Sequence, residues 1–159
     1  AQLDELTAQL IELAKQMTDY EYLASVPGIG DVTIVDLLSE VGSLTQYAHP
    51  RQLIKLAGLT LRENSSGQQK GQKRISKRGR RKLRALLFRV MMPIILHNPA
   101  FKQLHEYYTT RTKNPLRKKQ SIVVLCGKLL KILHALCKKK TMFNEHQMMN
   151  DFASLQTAA

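Results

Sequence analysis

A chain of 159 residues, 43% of them hydrophobic, is long enough to bury one core and short for two, so one domain with an appendage is expected. Its 25 Lys and Arg against 12 Asp and Glu give a formal charge of +13, which directs attention to polyanions as partners. Two cysteines without metal-ligand spacing argue against a disulfide framework and a zinc module, and no apolar run approaches the ~20 residues of a membrane span.

The charge is segregated. Residues 1–40 hold eight acids and one base, whereas residues 41–159 hold 24 bases and four acids. The first part reads as an acidic, helix-like appendage and the remainder as the polyanion binder. The chain begins at Ala1, already inside a helical pattern and without a signal peptide, and is read as a piece of a longer cytoplasmic protein.

Leu3, Leu6, Leu10, Leu13, Met17 and Tyr20 recur at alternating spacings of three and four, an a/d seam. The spacing predicts one helix over residues 1–21, serving either as a short coiled coil or as an amphipathic helix packed on its own domain. In "LASVPGIGDVTIVDLLSEVG", Pro27 ends a helix and Gly28 and Gly30 permit a tight turn. Asp31 then caps a second helix expected to turn Val32, Val35, Leu38 and Val41 inward. Such a helix-hairpin-helix lets backbone N–H groups approach a phosphate, with Ile29 plugging the turn into the core. The same hairpin also serves to pack helices together.

"HPRQLIKLAGL" reads as a short helix between Pro50 and the Gly58 stop. Residues 59–78 show no lasting period and read as a long basic loop with room for a small hairpin. A helix from Gly79 carries Leu83, Leu86, Leu87, Val90, Met91, Ile94 and Ile95, with Pro93 kinking it or marking its last turns. Asn98 and Pro99 open another helix, and a long one runs from about Leu116 to Lys139 with Cys126 as a reduced core thiol. Cys137, on the same helix, is read alike. The tail 141–159 is polar and Met-rich and reads as frayed. The fold class expected is all-α: a helical domain over residues 22–140 between the coiled-coil-like helix and the tail.

Residues 62–89 hold 11 of the 25 bases and a single acid, Glu63. Released counterions make such density favourable beside phosphates. Arg62, Lys70, Lys73, Arg74, Lys77, Arg78, Arg80, Arg81 and Arg84 are the candidate phosphate contacts, joined by Gly28, Ile29 and Gly30 of the hairpin. Within the stretch stand Ser65 and Ser66, followed by Gly67. A serine hydroxyl becomes a nucleophile only where a base takes its proton or cations stabilise its anion, and guanidinium forks neutralise the charge that attack on a phosphodiester builds. A Ser-Ser-Gly is also a plain turn.

Four segments in order, Pro27–Gly30, Gly58–Gly67, Ile75–Gly79 and Leu83–Arg84, resemble the C-terminal transposase domain of DEDD-type insertion-sequence transposases, the RNA-guided bridge recombinases. The resemblance covers roughly residues 22–140 and departs from the family at Leu61, where proline is frequent. It implies a DNA transposase that pairs this half with a RuvC-like half holding divalent metal, magnesium being expected there and none in this chain. It implies DNA and a guide RNA as partners, a dimer or higher oligomer, no membrane, and bacterial cytoplasm or nucleoid. It also implies that Ser66, or failing that Ser65, is the nucleophile, with Arg74, Lys77, Arg78 and Arg84 about the scissile phosphate. Ser76 is a third candidate, better suited to a loop cap. A module that only grips nucleic acid, and an assembly domain centred on the heptad helix, are the alternatives.

Overall fold

The computed structural model of the chain describes residues 1–62 and 74–157. Among these residues run helices α1 (Gln2–Lys15), α2 (Asp19–Ala24), α3 (Asp31–Val41), α4 (Pro50–Leu56), α5 (Arg81–His97), α6 (Pro99–Thr110), α7 (Lys118–Lys139) and α8 (Glu145–Thr157). A 3₁₀ turn, Leu44–Gln46, precedes α4, and a two-residue antiparallel ladder pairs β1 (Leu61–Arg62) with β2 (Arg74–Ile75). Among the described residues all regular structure is therefore helical apart from that ladder.

α7 is the central element. It packs against α2, the 3₁₀ turn, α4, α5 and α6, and its Leu125, Cys126, Leu129, Leu130 and Leu133 are buried. Its length and apolar content would suit a bilayer, yet this apolar side is the core of the domain. Cys126 and Cys137 are free buried thiols, each pushed up to about 12 by burial, with the Asp19 carboxylate adding to the effect at Cys137.

Asn98 caps α6 by accepting from the Phe101 amide, and Pro99 stands at its first turn. Its amide group also donates to the Pro27 carbonyl at 3.4 Å, which ties the α2–α3 hairpin to the α5–α6 corner. α5 continues one turn beyond Pro93, to His97.

Three expectations are corrected. Residues 1–21 form two helices instead of one, broken at residues 16–18. The cause lies at Asp19: its buried carboxylate accepts from the Leu44 amide at 2.7 Å and from Ser43 Oγ at 3.1 Å, and the chain must turn to deliver it. The seam is thereby cut to Leu3, Leu6, Leu10 and Leu13 on α1. Val32, expected inward, is 54% exposed. α3 instead buries Ile34, Val35, Leu37, Leu38 and Val41 between α1, α2 and α5, and Val32 falls on the opposite side. The tail, expected to fray, is α8, whose Met148 and Phe152 enter the core against α6. Phe152 meets the Tyr107 ring edge-on at 5.2 Å. Asn144 starts this helix by accepting from the Gln147 amide.

Candidate nucleic-acid interface

The described residues on either side of 63–73 meet at a narrow neck at the end of α4. Gly58 terminates that helix with φ +71, and its carbonyl accepts from the Lys77 amide at 3.0 Å. The Ser76 amide donates to Thr60 O at 2.7 Å, the Arg80 amide donates to Leu56 O at 2.6 Å, and the β1–β2 ladder follows directly outward. Two main-chain strands thus cross with no room for a side chain between them. A Cβ on Gly79, where φ is +153, would run into Leu56 O and stand 2.7 Å from Gly58 N. Lys77 takes a left-handed conformation, φ 54, that completes the crossing.

Side chains brace the neck from within the fold. Arg84 Nη1 donates to Ala57 O at 3.3 Å, so the guanidinium lies over the end of α4 and satisfies one of its last carbonyls. Arg80 Nη1 donates to Glu40 O at 2.5 Å and lies 3.4 Å from the Glu40 carboxylate, which fastens the neck to the end of α3. Ser76 Oγ accepts from the Arg78 amide, the loop-cap role read from the sequence. Arg74, Lys77, Arg78 and Arg81 are exposed, and among the described residues none of them meets a carboxylate.

The structure does not bring all the candidate contacts together. Gly28, φ +101, is pressed against α5, where a Cβ would stand 2.7 Å from the Ile94 Cα. Ile29 is half-buried against the core, while Gly30 opens to free space at the start of α3. Asp31 occupies the first turn of that helix, where its negative charge complements the dipole, and accepts from the Tyr20 hydroxyl, raising the Tyr20 phenol above its usual 10.0. Ile94 and Arg81 lie at opposite ends of α5, about 20 Å apart at 1.5 Å per residue. Hairpin and cationic neck are therefore two places. Ser65, Ser66, Lys70 and Lys73 lie outside the described residues, as does the side chain of Arg62.

Sequence reasoning missed the bracing partners, Glu40 and the carbonyls of Leu56 and Ala57. Only the two glycines, spaced to flank the basic run, signalled that backbones meet there. Elsewhere His105 Nδ1 lies 2.8 Å from Ser121 Oγ, but Ser121 is fully buried, so this pair joins α6 to α7 and offers no reachable nucleophile. Among the described residues no three His, Cys, Asp or Glu side chains converge as a metal site would need.

Residues 20–106, which span the hairpin, the neck and α5, match the transposase family IS116/IS110/IS902, and the chain belongs to that family. It is 35% identical over 89 residues to the transposase for insertion sequence element IS1111A of Coxiella burnetii, covering 56% of this chain and 24% of that protein. It is 31% identical over 150 residues to pilin gene-inverting proteins of Moraxella bovis and Moraxella lacunata, covering 91% of this chain and 45% of each relative. The chain thus spans less than half the length of these relatives.

Proposed function

We propose that the chain is the C-terminal half of an insertion-sequence transposase that grips a DNA strand and supplies the serine that cuts it. One observation supports this reading most. The neck fixes the points where residues 63–73 begin and end, and beside it Arg74, Lys77, Arg78 and Arg81 stand exposed without carboxylate partners. Phosphate oxygens would supply the missing negative charge.

In this reading Ser66, with Ser65 as the second choice, attacks a phosphodiester. An Oγ–P bond forms, the P–O bond to the adjoining sugar breaks, and the freed sugar hydroxyl takes up a proton while the serine proton passes to a base of the assembled site. Arg74, Lys77 and Arg78 neutralise the oxygens on which charge develops. Arg84, with Nη1 committed to Ala57, holds the neck in register and has its other guanidinium nitrogens for phosphate. Of the hairpin residues, Gly28 and Ile29 brace the fold, and Gly30 stays open to a strand. In this reading divalent metal, magnesium, would be held by a RuvC-like half and not by this chain. Guide RNA is the second partner. A homo-oligomer forms through α1, whose Leu3, Leu6, Leu10 and Leu13 are exposed.

The test uses the full-length transposase with a nicked duplex. After denaturation, a nucleotide should remain on Ser66, and Ser66→Ala should remove both adduct and strand exchange while binding persists. Unchanged recombination with Ser65 and Ser66 both replaced would refute the nucleophile. Salt-sensitive binding without any adduct would favour a module that only grips nucleic acid.

A further inference from the structure

A second block of charge lies beyond the neck. Residues 107–144 hold ten Lys and Arg and no acid, flanked by Glu106 and Glu145. All of this block follows the family match, which ends at residue 106. The motifs around the serines therefore leave it unexplained.

α7 displays much of it in a defined pattern. At about 100° per residue, Gln120, Val124, Gly127, Lys131 and Lys138 fall on one side of the helix, opposite the buried Leu125, Leu129 and Leu133. Lys131 and Lys138 are exposed, and Arg117, Lys118 and Lys119 extend the charge around the helix start, also exposed. Positive charge in the first turn opposes the helix dipole, so its placement there costs stability unless an anion is present. Among the described residues none of these five side chains pairs with a carboxylate. Asp151 of α8 lines a cleft of about 270 Å³ with Lys128 and Lys131.

Gly127 supplies an independent observation. Glycine inside a helix costs roughly 1 kcal/mol relative to alanine. Yet a Cβ at Gly127 would meet nothing within 4 Å beyond its chain neighbours and the backbone of its own helix. Among the described residues no packed neighbour requires glycine there. A partner lying against this side of the helix would, because the missing side chain lets a backbone approach between lysines.

We propose that Lys131 and Lys138 on the outer side of α7, together with Arg117, Lys118 and Lys119 around its first turn, form a second contact surface for the sugar–phosphate backbone of a duplex nucleic acid. Lys131 and Lys138 lie opposite Leu125, Leu129 and Leu133, which α7 buries in the core it shares with α4 and α5. From Arg117 to Lys138 the helix runs about 32 Å, close to one duplex turn of about 34 Å. The proposal rests on the nucleic-acid reading above but not on the serine. DNA and RNA duplexes share the chemistry that this surface recognises, and the experiment separates them.

The test compares three forms of the chain by fluorescence anisotropy across a salt series, on a DNA duplex of about two turns and on an RNA duplex of the same length. One variant carries Lys118→Gln, Lys119→Gln, Lys131→Gln and Lys138→Gln. The other carries Arg74→Gln, Lys77→Gln and Arg78→Gln at the neck. The α7 variant should keep the parent's thermal melt and lose about 0.9 from the log–log salt slope per contact removed, hence about two to three and a half in all. If it melts early, the pair Lys131→Gln with Lys138→Gln should still lose at least about one. Loss on DNA alone, RNA alone or both assigns the duplex. A parent-like slope on both duplexes, with the neck variant weakened, overturns this proposal and leaves the proposed function standing. A parent chain that binds neither duplex overturns both.

Discussion

The Gly28 backbone lies against Ile94 so closely that a Cβ at residue 28 would come 2.7 Å from the Ile94 Cα and 3.0 Å from its Cγ1. The hairpin glycine is thus required by packing, and by its φ of +101, independently of any ligand. Gly28→Ala should destabilise the domain by about 2 kcal/mol or more, since positive φ and a core clash act together. At this size that lowers the melting temperature by roughly 4–8 °C. Gly30→Ala, which meets open space, should cost less than about 1 kcal/mol. Equal losses in calorimetry would contradict the distinction drawn between the two positions.

The seam of α1 faces solvent. Leu3 is 79% exposed and Leu13 59%, while Ile11 and Ala14 on the other side pack against the core. Replacing both Leu6 and Leu10 with Lys should therefore leave the melt of the isolated domain almost unchanged. It should also convert an oligomer to a monomer in sedimentation. A parent chain that is already monomeric at high concentration would remove α1 as an assembly element.

Alkaline pH should weaken the fold through the two buried thiols. Their folded values, about 12, lie above the ordinary 9.0, so between those limits the folded state binds more protons than the unfolded state. Their contribution is intact below pH 9 and declines as pH rises, by up to about 1.4 kcal/mol per pH unit for each thiol. Denaturant titrations at pH 8 and 10 should show this fall, and Cys126→Ala should flatten it while lowering stability at both values. A variant with the parent's pH slope would place the titration elsewhere.

Helices α4 to α7 were legible from periodicity and end signals because both are local. Asn98–Pro99, His49–Pro50 and Gly58 mark ends by chemistry that acts within one turn. What escaped depended on distant residues. The break after α1 exists because Asp19 reaches Leu44, and α8 is held by Tyr107, two helices away along the chain. Met148 and Phe152, four residues apart after an Asn144 cap, were the signal that could have revealed α8. At the site, composition exposed the excess of cations but not their geometry. The division between Arg80 and Arg84, which brace, and Arg74 and Arg78, which stay open, follows from carbonyls and a carboxylate that no sequence spacing displays.

The crossing at Leu56–Gly58 and Lys77–Arg80 has an evolutionary corollary. Because the main chain is stitched shut at that point, residues added between its two sides have little thermodynamic consequence for the helices beneath, since doubling a connecting length adds only about 0.6 kcal/mol of closure entropy. Chimeras that exchange the residues between Leu56–Gly58 and Lys77–Arg80 among relatives should keep their scaffold.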